Sequence, residues 1–168
     1  CINRAFKEDS SVKDIFRRRV DESSSTSLGW QIIEGIRIAA IDKRTFAKAI
    51  DNLILLSEVS VHARDAIISI LLPWFPQTSA SIASRKGAGV KLSKSLNKPA
   101  WEALLGLLPN RTRSTDEVVT QYLQIPDFAQ EARNGLSTRD IGEIGRSYGR
   151  DAIKGSGGDA SRMMGLID

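Results

Sequence analysis

The stretch VSVHARDAIISILLPWFP, residues 59–76, decides the fold. Val59, Ala63, Ala66, Ile67, Ile70 and Leu71 recur at the three- and four-residue spacing of one helix face. Toward its end the stretch is apolar nearly all round, which suits a helix enclosed on every side, so it is the expected central and most buried element. Pro73 must stop it, and Trp74-Phe75-Pro76 reads as an apolar corner that needs covering. Its longest apolar run, Ala66 to Phe75, is half the ~20 residues that a membrane crossing requires.

The same periodicity extends in both directions. Leu28, Ile32, Ile36 and Ala40 keep helical spacing, flanked by Trp30 and Ile33; Asp42 then opens a helix with Phe46, Ile50, Leu53 and Leu56 on one side. Further back, Ser10 or Ser11 caps a helix running to about Asp21, and Ser23 to Ser27 forms a loop. Downstream, Pro99 stands in a first helical turn whose inner face is Trp101, Leu104, Leu105 and Leu108, closed by Pro109. Ser114 and Glu117 have the spacing of a capping box ahead of Val118, Tyr122 and Leu123, and a further short helix follows Pro126 and ends at Gly135. Thr138 to Lys154 closes the series, with Ile141, Ile144, Tyr148 and Ala152 on one face and Arg139, Glu143, Arg146, Arg150 and Lys154 on another. No repeat of 20 to 50 residues appears. The expected fold is all-α, an irregular bundle of about seven to nine short helices. A single helical domain over residues 1–154 is followed by a Gly/Ser-rich tail over residues 155–168.

At 168 residues the chain is long enough to bury roughly two thirds of its unfolded surface. One cysteine, Cys1, makes no internal disulfide and fits a reducing, intracellular setting, cytoplasmic or nuclear. The first residue is not Met and no signal region follows it, the pattern expected of a fragment, a cleavage product or a piece of a polyprotein. Asn110-Arg111-Thr112 has the N-glycosylation pattern, which occurs by chance on turns.

Charge is the most informative feature. The chain carries 24 Lys and Arg against 20 Asp and Glu, a net of +4. No acid occurs between Asp65 and Glu102, while Arg85, Lys86, Lys91, Lys94 and Lys98 fall inside that gap; outside it the count is 19 cations against 20 acids. Five cations within so short a span repel one another and favour any polyanion that releases their counterions. Gly87 and Gly89 predict a short helix, a hinge and a second short helix ending before Pro99, with Lys91, Lys94 and Lys98 on one face.

Sites for chemistry are scarce. With one His and one Cys, no zinc site can be assembled. Asp65, one turn beyond His62, has the spacing to orient its ring, yet no G-x-S-x-G stretch supplies a nucleophile, so His62 reads as structural. Gly87-Ala88-Gly89-Val90-Lys91-Leu92-Ser93 departs from the phosphate-binding loop, and Leu92 occupies the third glycine position of the dinucleotide fingerprint. Asp21-Glu22 and Asp116-Glu117 are explained by helix capping before any acid–base role. No catalytic residue, metal or cofactor is expected.

The expected function is therefore non-enzymatic: binding of nucleic acid, RNA favoured, through its phosphate backbone, with self-association of nucleoprotein- or matrix-like character. No motif assigns a family. Arg85, Lys86, Lys91, Lys94 and Lys98 would form the main track, Arg146, Arg150 and Lys154 a second, and Arg17, Arg18 and Arg19 a third. The alternative is a protein assembly module whose lysines only solubilise, forming a homo-oligomer through the corner Trp74, Phe75 or the tail residues Met163, Met164. A third possibility is peripheral binding to anionic membrane, with Lys91, Lys94 and Lys98 under Val90, Leu92 and Leu96.

Overall fold

The structure, a computed structural model, describes residues 28–74, 77–108 and 136–167. The helix expected before Asp21, Arg17, Arg18, Arg19, Phe75, the Asn110 pattern and the elements expected between Ser114 and Gly135 lie outside the described residues. Seven helices are described: α1 Leu28–Ala39, α2 Phe46–Leu56, α3 Val61–Leu71, α4 Ile82–Lys94, α5 Lys98–Gly106, α6 Thr138–Ser156 and α7 Ala160–Ile167. The described residues are all-α and contain no strand.

On α2 and α3 the expected apolar faces are the ones buried, whereas on α1 Leu28 is exposed, Ile32 and Ile36 are partly buried, and Ile33, expected beside the face, is enclosed instead. Phe46, Ile50, Leu53 and Leu56 of α2 and Ala63, Ala66, Ile67, Ile70 and Leu71 of α3 join one hydrophobic core. α3 packs on α1, α2 and α5, the central place its composition demands. It stops where proline requires: Leu72, before Pro73, turns to ψ 124°, away from the helical basin. α1 and α2 are joined by a turn in which Asp42 accepts from the Arg44 backbone N–H at 2.8 Å. The Arg44 side chain bonds the same carboxylate and holds it down to about 2. α5 starts on Asn97, whose side chain accepts from the Ala100 N–H at 3.3 Å, with Pro99 in the first turn, where no donor is needed.

Two expectations need correction. The basic segment is not two short helices around a hinge: α4 is continuous through Gly87 and Gly89. Its glycines are tolerated because packing supplies the helicity, and at Gly89 packing requires one. A Cβ there would sit 2.6 Å from Tyr148 Cδ1 of α6. The helix ends at Lys94, so Lys98 belongs to α5 and does not continue the row of Lys91 and Lys94. Likewise residues 155–168 are not simply a Gly/Ser tail. α6 runs to Ser156, Gly157 terminates it at φ 52°, and Asp159 Oδ1 accepts from the Ser161 and Arg162 N–H groups to start α7.

α4 and α6 lie parallel. Lys86 pairs with Glu143, Gly89 faces Tyr148 and Asp151, and Gly155 abuts Ser93, so contacts advance along both helices together. Residues 95–137 intervene, a connection long enough to return the chain to the same end, whereas a short link gives an antiparallel neighbour. This parallel pair sets up everything that follows.

Candidate functional site

Parallel packing places two helix C-termini side by side, and both are negative poles with carbonyls lacking intrahelical partners. The structure resolves this with Arg162 of α7. Its guanidinium donates to Gly155 O at 2.8 Å, Ser95 O at 2.6 Å and Ser93 O at 3.4 Å, and it lies 4.9 Å from the centroid of the Trp101 ring. One planar fork thus caps α4 and α6 together while stacking on α5. Arg162 had no place among the sequence candidates. Its signal was the run Gly157-Gly158-Asp159, a helix stop followed by a cap, ahead of the apolar residues of α7.

Between α5 and α7 a groove of about 680 Å³ remains, walled by Leu96, Trp101, Leu105 and Met164, with Lys98 and Glu102 at its rim. Leu96 is 96% exposed. α7 rests on the groove through Arg162, Gly165 and the partly buried Leu166, and none of its residues is fully buried. A Cβ at Gly165 would meet Leu105 Cδ1 at 3.1 Å, which explains a glycine at the point of closest approach.

At the opposite end the two N-termini also coincide. Ser137 and Asp140 form a full capping box for α6, and Ser81 caps α4 by accepting from the Ser84 N–H at 3.1 Å. Toward these positive ends lies Arg85, only 3% exposed, with Nε and Nη1 making no hydrogen bond. Burial disfavours its charged form more than Tyr148 and Asp140 support it. Arg85 is therefore corrected from a surface phosphate contact to an enclosed guanidinium. The Tyr148 hydroxyl beside it donates to Leu71 O at 3.3 Å and to Arg85 O at 3.4 Å, and burial pushes its proton affinity upward.

The other expected cations are distributed unevenly. Lys86 pairs with Glu143, which lowers that carboxyl, so Glu143 takes its partner from α4 instead of from Arg139 or Arg146. Lys91 pairs with Asp51 at 2.6 Å, and Lys98 lies 3.8 Å from Glu102, which also receives Arg64. Lys94 is exposed, as are Arg139, Arg146, Arg150 and Lys154 on α6. The main track is thus largely answered by carboxylates within the fold, while its Lys86 adjoins the α6 stripe. Leu92 is fully buried, so the apolar edge expected to meet a membrane is reduced to Val90 and Leu96.

A smaller cleft, about 310 Å³, lies between α1 and α3, lined in part by Trp30, Glu34, His62 and Asp65. His62 is exposed; Asp65 accepts from Arg64 at 3.2 Å, and no serine among the described residues lines the cleft. Among the described residues no three His, Cys, Asp or Glu side chains gather as a metal site, and no helix is long and apolar enough to cross a membrane. Comparison with protein-family models, curated proteins and solved structures returned no match.

Proposed function

We propose that the chain is an assembly module that self-associates through the end where α4 and α6 finish, α5 begins and α7 lies across them. One observation carries this reading. Of eight exposed large hydrophobic side chains among the described residues, five belong to that end: Leu96, Ile153, Met163, Met164 and Ile167. Apolar side chains scattered singly over a surface need no explanation, but their concentration at one end of the molecule, with Leu96 and Met164 on the wall of an open groove of mixed polarity, marks a surface suited to a partner. The Trp74 corner is a weaker candidate, because Trp74 packs against the core. Sedimentation equilibrium of the full chain tests the proposal. The wild-type mass should rise with concentration, while Met164→Glu combined with Ile167→Glu stays monomeric with unchanged helical circular dichroism. A wild-type chain that is monomeric throughout overturns it.

A second reading, contact with a nucleic-acid backbone, is favoured by one feature of the parallel pair. Lys86 of α4 lies against Glu143, which sits between Arg139 and Arg146 near the start of the α6 stripe that continues to Arg150 and Lys154, so two of the expected clusters adjoin. Binding to a mixed-sequence single strand should then weaken with salt, and Arg146→Ala and Arg150→Ala should each reduce the log–log slope by about one. A flat slope removes this reading.

A further inference from the structure

The seat of α7 has a property that its stability alone does not require. Its strongest contacts are gathered in one side chain, Arg162, which enters a cradle built entirely by other elements: Ser93 and Ser95 at the end of α4, Gly155 at the end of α6, and the Trp101 ring of α5. The cradle has the chemistry of a guanidinium receptor, carbonyl oxygens at two negative helix poles and an aromatic face. Nothing in it depends on which copy of the chain delivers the guanidinium.

The tether of α7 is equally permissive. Gly157 and Gly158 stand at φ 52° and 85°, and glycine passes from such values to extended ones without a steric barrier from a side chain. No residue of α7 is fully buried, but α7 covers Trp101 and Leu105, each only 5% exposed, so its release uncovers an apolar seat that a second α7 would fill. In the closed chain Met163, Met164 and Ile167 remain exposed, Met164 on the wall of the groove.

We propose that the assembled form exchanges α7 between two copies, Arg162 of each entering the carbonyl cradle over Trp101 of the other. This rests on the self-association proposed above and names its mechanism. Closure within one chain benefits from the high effective concentration of a short tether. Exchange prevails only where joining two copies also covers the apolar side chains left out in the cold by closure. Leu96 on the groove wall and Ile153 in the last turn of α6 are both exposed and supply that added burial. A second copy is the occupant that matches the groove's chemistry, because α7 itself displays what the groove accepts: a guanidinium followed by Gly165, at which α7 approaches Leu105.

The test uses the full chain with Cys1→Ser, Leu105→Cys and Gly165→Cys, the last two positions being in contact across the seat. Mild oxidation joins the two thiols as a disulfide, which suits positions in direct contact, at concentrations where sedimentation shows the associated form. Exchange predicts covalent dimers on a non-reducing denaturing gel. Linked monomers alone, formed in a solution that sediments as dimer, overturn exchange and leave self-association standing; a chain that never dimerises overturns both. An independent variant, deletion of Gly157 and Gly158, denies closure within one chain and should tighten the dimer at least tenfold. Arg162→Ala should weaken it by a similar factor with circular dichroism preserved. If neither variant moves the dimer constant, exchange is likewise overturned.

Discussion

The bundle of α1, α2, α3 and α5 and the parallel pair of α4 and α6 are held by different physics. In the bundle, the buried side chains are mainly apolar, Ile33, Phe46, Ile50, Leu53, Ile67, Ile70 and Leu104 among them, and the buried Ser69 hydroxyl is satisfied within its own helix by Ala66 O at 2.8 Å. At the α4–α6 interface the chain instead buries Arg85, Ser93, Ser147 and Tyr148, and it uses Gly89 and Gly155 to bring two backbones together. The first arrangement needs nothing beyond itself. The second leaves two adjacent helix poles at each end. The N-termini are capped by Ser81 and by the Ser137–Asp140 box at the helices' own starts, with Arg85 enclosed nearby, whereas the C-terminal carbonyls take Arg162 from α7.

The contrast breaks first in the bundle. Leu53→Ala or Ile67→Ala should cost about 2–5 kcal/mol in urea unfolding, the loss expected when a fully buried aliphatic side chain leaves a cavity. A loss below about 1 kcal/mol would mean the bundle is not the rigid half. Gly89→Ala comes next, at about 1–3 kcal/mol, because its Cβ would press on the Tyr148 ring. Gly87→Ala, two residues away with nothing within 4 Å, should stabilise by up to about 1 kcal/mol. Opposite signs from the same substitution would locate the interface on α4 without a structure.

Arg85→Met sharpens the comparison further. It keeps the apolar stem and removes donors that have no partner, so stability should rise by at least about 1 kcal/mol. A loss of that size would show that the guanidinium is satisfied in solution. The smallest expected effect is at Asp151, whose Oδ2 is shielded without a hydrogen bond and whose carboxyl is pushed up by burial, against the pull of Lys154 and Arg150. A carboxyl whose folded pKa is raised destabilises the fold above that pKa and ceases to do so below its unfolded value of 3.8. Asp151→Asn should therefore stabilise slightly at neutral pH, with the gain vanishing as unfolding is measured at more acidic pH.

The bundle was legible in the sequence because period and burial agree there: an apolar residue every three or four positions faces the core and little else matters. Val59 to Leu71 was read as central on that basis, and α3 holds that place. From Arg85 to Lys98 the sequence speaks through its charges and glycines, and these mislead about its structure. Arg85 is a cation by composition yet nearly inaccessible, since its position is set by Tyr148, sixty-three residues further on. Gly87 and Gly89 suggested a hinge because propensity is local, whereas the helix is sustained by a parallel partner that no local pattern announces. The cationic stripe of α6 was visible, but the ion pair between Lys86 and Glu143 depends on register between distant helices. Only the cap at Asp159, and with it α7, was available to a closer reading of the chain.

The most direct trial of assembly through the α7 end is the self-dissociation constant of the wild-type chain, measured by sedimentation equilibrium at low and high salt. Association through Leu96, Ile153, Met163, Met164 and Ile167 predicts a dimer that holds or tightens as salt rises. A chain that stays monomeric, or a dimer that dissolves as charges are screened, would contradict it.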